Sequence, residues 1–212
     1  MTVSIRDISI WDRVRDATKH THRRLDAAMN SVDLARPHYY AGFLRGQAEA
    51  LFPLEAALEQ HGIEELLPDW PQRARTPALE HDLSVLDAGC DPLLIPDLAR
   101  LDADRTAEML GIVYVLEGSR MGARIILSRL TDQPDSVVIG ATSFLRHGFG
   151  KRFWPTFLET LESHPDARAN PDMVIDGALL AFGMFESALI PVMSEALDRS
   201  RNAVRLVHSA PV

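Results

Sequence analysis

From Trp11 to the far end of the chain, apolar residues return every three to four positions, and nowhere does a run of β-branched residues alternate over strand length. A period of 3.6 residues puts such side chains on one face of a helix, so the pattern predicts an all-α chain. The first helix is expected from Ser9 or Trp11 to Met29. The second starts near Pro37, a residue favoured in a first helical turn, with Pro53 expected to kink it and Gly62 to end it. A shorter helix is expected around Ala78 to Leu86, a long one over Asp102 to Leu130, and another over Lys151 to Ser163. The last opens at Asn170-Pro171, a cap and first-turn pair, and runs to about Arg199. No internal repeat or flexible linker divides the chain, so residues 1–212 read as a single domain of about six to eight helices.

Composition narrows the partners. With 22 Lys and Arg against 30 Asp and Glu, the net charge is −8, the wrong sign for a surface that neutralises nucleic-acid phosphates. An anionic small molecule would have to be held by local basic clusters, and three are visible: Arg13, Arg15 and Lys19; Arg120 and Arg124; Lys151 and Arg152. One cysteine, Cys90, allows neither an internal disulfide nor a multi-cysteine metal site, which points to a reducing cytoplasm. No run of about 18 uninterrupted apolar residues exists, and MTVSIRDISIWDRVRD carries charges where a secretory leader would be apolar. The expectation is therefore a cytoplasmic protein without a membrane partner.

Three features carry chemistry. In RVRDATKHTHRRLDAAM, helical spacing places Arg15, Thr18, His22 and Asp26 on one face, while His20 falls about 200° around the helix from His22. A ligand on that face meets His22, and Asp26 one turn on is placed to accept a hydrogen bond and tune the imidazole. Spacing alone leaves open an amphipathic-helix histidine among charged neighbours. In MLGIVYVLEGSRMGARIILSRL, Gly111, Gly118 and Gly122 share a stripe, although each glycine costs a helix about 1 kcal/mol relative to alanine. Such a stripe admits either a second helix or a flat ligand against the backbone, and the sequence does not choose between them. Thirdly, Lys151-Arg152 opens a helix, where cations oppose the macrodipole. A carboxylate partner would explain them.

Together RDATKHTHRRLDAAM, YVLEGSRMGARII and GKRFWPTFLETLE resemble the heme oxygenase family, in particular its bacterial branch associated with bacteriophytochromes. Weaker echoes occur at YYAGFLRGQAEALFPLEAAL, DWPQRART-ALEHDL and ALLAFGMFE, so the resemblance covers most of the chain. It implies a multi-helix fold with heme between the first helix and the glycine-bearing distal helix. His22 would be the proximal ligand of the iron, and Gly118, Ser119 and Gly122 would lie over the opposite face, where oxygen binds. Arg15, Lys151 and Arg152 would pair with the propionates, Tyr114 would contribute to the same region, and Phe182 would line the wall. Arg15 lies about 10.5 Å below His22 along the helix axis, close to the distance from a porphyrin iron to its carboxylates. Heme would be cofactor and substrate at once, opened with O2 and electrons to biliverdin, carbon monoxide and ferrous iron. A ferredoxin or flavoprotein reductase would supply the electrons and a bacteriophytochrome would accept the biliverdin.

Two positions depart from the family. Many heme oxygenases carry an aspartate directly after the first distal glycine, where it organises water, and here that position is Ser119. Arg120 replaces a smaller or apolar residue and is expected to point away from the heme face. Ser119 keeps open an alternative, a heme carrier or sensor on the same fold without turnover. Two other helical readings lack their residues. A di-iron centre needs Glu-x-x-His spacing that Glu80-His81 does not have, and Cys90 sits in a Gly/Pro-rich loop rather than in the core position of a thiamin-salvage hydrolase.

Overall fold

The computed structural model describes residues 9–98, 102–132 and 135–208. Helices there are α1 (Ile10–Asn30), α2 (Pro37–Gln60), α3 (Ile63–Leu66), α4 (Trp70–Arg73), α5 (Thr76–Val85) and α6 (Asp102–Asp132). They continue as α7 (Ser136–Gly140), α8 (Ser143–Arg146), α9 (Phe153–Ser163), α10 (Pro165–Ala169) and α11 (Pro171–His208). No strand occurs among the described residues, and the long elements lie where the periodicity placed them, except that α11 continues past the expected end near Arg199 to His208. The count exceeds the expected six to eight because α3, α4, α7, α8 and α10 are single turns of four or five residues. One turn is too short to show a 3.6-residue period. α2 runs on through the buried Pro53, and Gly62 just beyond it takes the left-handed conformation with a φ of 79°.

Several helix starts are set by carboxylates that arrive from elsewhere in the chain. The first N–H groups of a helix have no partner within it. At α1, Glu162 accepts from the N–H groups of Ile10 (3.2 Å) and Trp11 (2.8 Å), while Ser9 Oγ accepts from Asp12. At α5, the buried Glu55 accepts from the N–H groups of Arg75 (2.8 Å) and Thr76 (2.9 Å) and from the Thr76 hydroxyl. At α8, the fully buried Asp82 accepts from Ser143 and Phe144. Each carboxylate also meets the positive end of the helix dipole. The contacts of Glu162, Glu55 and Asp82 help fix where these helices start, and none of the three is a local sequence signal.

α11 is the central helix, packed against α1, α2 and α6. Its segment Pro171–Glu195, with a mean hydropathy of 1.7, has the length and composition of a membrane span. Here its apolar side chains Val174, Ala178, Ala181, Phe185 and Leu189 are buried against those neighbours, the usual position of a core helix. Contact with α6 depends on glycine in both partners. A Cβ on Gly111 would collide with the carbonyl oxygen of Val174, and one on Gly177 with that of Glu108.

Candidate functional site

α1 and α6 both lie against α11 but make few contacts with each other, and the space between them is a cavity of about 570 Å³. That volume lies within the usual range for small-molecule sites. α1 contributes Arg15, Thr18, His22 and Asp26 to its wall, and α6 contributes Tyr114, Gly118, Ser119 and Gly122. Phe182, Phe185 and Leu189 of α11 and Trp154 of α9 supply apolar surface. The structure thus brings Arg15, His22, Tyr114, Gly118, Ser119, Gly122 and Phe182 to one cavity. It does not bring Lys151, which is exposed in the turn before α9, its N–H bonded to the Gly148 carbonyl. Arg152, expected inside the helix, is instead the exposed residue just before it. Gly148 and Gly150, with φ of 76° and 77°, turn the chain so that Phe153 is buried and Trp154 reaches the cavity.

His22 stands on the cavity wall with its side chain 61% exposed. Its Nδ1 lies 3.1 Å from Asp26 Oδ2, and its ring meets Phe182 edge-on at 5.9 Å. Engaging Nδ1 with a carboxylate leaves Nε2 as the nitrogen free for a metal and makes the ring a stronger donor. His20 is exposed and lies outside the cavity wall, as the helical face required. Among the described residues no three His, Cys, Asp or Glu side chains converge on one point, and His22 is the histidine on the cavity wall.

Arg15, Lys19 and Arg23 form a basic row along the same helix at four-residue spacing, and all three line the cavity. Sequence reasoning assigned only Arg15. Its guanidinium bridges Asp12 at 2.8 Å and lies 4.5 Å from the centre of the Trp11 ring. An incoming carboxylate would share that cation with Asp12. Tyr114 is buried, and burial raises its phenol above the ordinary range, so it stays protonated and can donate a hydrogen bond.

The glycine stripe divides in space. Gly111 is used by α11, as described above. A Cβ on Gly118 would lie 3.6 Å from Trp154, an ordinary contact, and one on Gly122 would meet nothing within 4 Å. Gly122 also borders a second cavity of about 250 Å³ beside the first. On this half of α6 the backbone therefore faces open space.

Behind Ser119 stands a residue that sequence reasoning missed. Arg75 is 2% exposed, and its Nη1 donates to Ser119 Oγ at 3.0 Å and its Nη2 to the Leu116 carbonyl at 3.1 Å. Ser119 Oγ in turn donates to Leu116 O at 2.8 Å. Burial and the neighbouring Arg120 pull the Arg75 guanidinium down to about 10, still protonated at neutral pH. Arg120 points away from the cavity, as its helical position required. It is nonetheless buried, held by Glu117 (2.8 Å), the Arg73 carbonyl (2.6 Å) and His147 Nδ1 (2.9 Å). Trp154 and Arg75 carried no sequence signal beyond their place in QRARTP and GKRFWP, because nothing local tells that such residues will face a cavity.

The heme oxygenase family model matches residues 9–190. The chain belongs to the heme oxygenase family. Among curated members, the heme oxygenase of Xanthomonas campestris pv. campestris is 29% identical over 150 residues, covering 71% of this chain and 88% of the relative. Heme oxygenase PigA of Pseudomonas aeruginosa is 27% identical over 180 residues, covering 84% and 89%. The fold is that of the NO- and CO-bound heme oxygenase from Neisseria meningitidis, with a TM-score of 0.72 at 21% identity over 88% of this chain and 93% of that one. The all-α heme oxygenase fold anticipated from the sequence is thus the fold found.

Proposed function

We propose that this heme oxygenase holds heme in the cavity between α1 and α6, with His22 Nε2 on the iron and Gly118 and Gly122 against the opposite face. One observation carries the reading. A free imidazole nitrogen and a side-chain-free stretch of helix stand on two walls of a single apolar cavity. The glycines leave the room that a flat ring requires, and a Cβ at either position would project into it. When bound, heme supplies the iron at which O2 is activated and is itself the molecule opened to biliverdin, carbon monoxide and ferrous iron.

The chain's own residues orient and exclude. Asp26 fixes the His22 tautomer, and Phe182 restrains the ring by its edge. Arg15, Lys19 and Arg23 present cations along one flank for the propionates, with the Tyr114 hydroxyl as a neutral donor. Each such charge-assisted contact contributes about 1.5–3 kcal/mol, enough to favour one in-plane orientation of the ring over another. Lys151 lies off this row, and its part in anchoring a propionate is the weaker proposal. Trp154, Phe185 and Leu189 keep water from the apolar faces. A ferredoxin or flavoprotein reductase as electron donor, a bacteriophytochrome as acceptor of the biliverdin, and a cytoplasmic location complete the proposal.

The test adds hemin to the purified protein and follows the visible spectrum, then supplies ascorbate or a ferredoxin system. An imidazole-ligated spectrum followed by biliverdin absorption is expected. His22→Ala should abolish the first spectrum and regain it with added imidazole, while His20→Ala should change little. Loss of the spectrum in His20→Ala but not in His22→Ala would sink the assignment, and heme binding without biliverdin would leave the carrier reading in its place.

A further inference from the structure

Three arginines are buried on the Ser119 side of the cavity, and two of them are matched by carboxylates. Arg73 Nε lies 2.7 Å from Asp69 and its Nη1 3.6 Å from Glu117, while Arg120 Nε lies 2.8 Å from Glu117. Among the described residues no such carboxylate pair is made by the Arg75 guanidinium. Its partners are the Ser119 hydroxyl, the Leu116 carbonyl and the ring of Phe144 at 5.0 Å. Its Nε–H is buried and has no hydrogen-bond partner. Glu55, the next carboxylate, receives the backbone N–H of the same residue rather than its side chain. Arg75, Ser119 and Phe144 all line the cavity.

The hydroxyl of Ser119 is committed as well. Its single hydrogen goes to Leu116 O and one lone pair takes the hydrogen of Arg75 Nη1. What remains is one lone pair, so toward the cavity Ser119 accepts and does not donate. An aspartate at this position would bring negative charge and acceptors, whereas this chain brings a neutral acceptor backed by a cation.

On the reading that the cavity holds heme, we propose that Arg75 makes this wall electropositive, so that it favours anionic over neutral ligands on the iron and supports the negative charge that oxygen acquires as it accepts electrons. Arg75 acts here as a positioning and electrostatic residue. It keeps the Ser119 hydroxyl engaged, and its charge, offset at longer range by Glu55 and Glu117 but paired with neither, acts across a wall where screening by water is weak.

Ligand binding to the hemin-loaded protein tests this without turnover. Fluoride, an anion, and imidazole, a neutral ligand, are titrated by visible spectroscopy. Arg75→Met should weaken fluoride by about tenfold and imidazole by less than about twofold, the order of effect of one charge at moderate distance. Arg75→Lys, which keeps the charge, should recover most of the fluoride affinity. Arg75→Gln removes the charge but keeps an amide that can donate toward Ser119 and Leu116, and it should weaken fluoride as much as Arg75→Met. That variant decides the matter should Arg75→Met not fold. The inference is overturned if fluoride and imidazole weaken together, which marks a steric role, or if fluoride is indifferent to the loss of charge in Arg75→Met or Arg75→Gln. A protein that gives no imidazole-ligated hemin spectrum at all sinks the functional reading itself. A normal spectrum with indifferent fluoride sinks only this inference.

Discussion

The two halves of α6 use the same residue for opposite ends. Around Gly111 the missing Cβ lets α11 approach until backbone meets backbone, with Gly177 of α11 making the reciprocal allowance against Glu108. Around Gly118 and Gly122, seven and eleven residues further on, the missing Cβ leaves a cavity wall bare. A helical glycine sacrifices stability at either place. At the first the loss is returned as packing between two core helices. At the second a Cβ would reach only Trp154 from Gly118 and nothing from Gly122, and the proposed heme is what would return the loss. A stripe of small residues therefore has to be read against the neighbour that each member faces.

The largest effect is expected where the comparison is tightest. Gly111→Leu drives a side chain into the Val174 carbonyl and must separate α6 from α11, with a loss above about 3 kcal/mol, the upper end for overpacked cores. A circular-dichroism melt should show a transition lowered by at least roughly 6–12 °C or lost altogether. A variant that melts like the parent would show that the helices do not pack as described.

Smaller and opposite in sign is the expected behaviour of the bare wall. Gly122→Ala should raise the stability of the heme-free protein by about 0.5–1 kcal/mol, since the new methyl meets nothing and helix propensity improves. The same change should weaken hemin binding or biliverdin formation. Gly118→Leu should fold and fail to bind hemin in its native mode. Equal loss of stability and hemin binding in both variants would erase the distinction between the halves.

An effect that appears only on acidification concerns the side of α6 turned away from the cavity. His147 Nδ1 accepts from Arg120, and burial, then the Arg120 and Arg75 charges, lower its imidazole from 6.5 to about 4. The unfolded chain takes up this proton near pH 6.5 while the fold resists it until about pH 4. Its contribution is therefore complete above pH 6.5, declines as pH falls through that window, and is constant below. Urea midpoints at pH 7 and pH 4.5 should differ less for His147→Gln than for the parent. An unchanged difference would mean that His147 is already protonated in the folded state.

Periodic patterning made the long helices legible, and the i, i+4, i+7 geometry of a single helix was enough to put Arg15, Thr18, His22 and Asp26 on one wall and His20 off it. The single-turn helices escaped, because one turn is too short to show a period, and α8 owes its placement to the distant carboxylate of Asp82. Lys151 was grouped with the basic anchors because sequence shows its charge, whereas its exposure outside the cavity follows from the two left-handed glycines before it. Lys19 and Arg23 were within reach of the same helical argument that found Arg15.

What the sequence by itself determined is whatever lies within one helix: length, apolar face, and which side chains share a stripe, because rise and rotation per residue are constant. Tertiary structure alone decided which stripe faced a partner. Gly111 and Gly118 are alike in the chain and differ only because α11 lies against one and a cavity against the other. Arg75 became a buried cation behind Ser119 because Glu55, 20 residues away, takes the N–H groups at the start of α5 and sets the guanidinium against α6. Such contacts join residues far apart in sequence, and no local period encodes them.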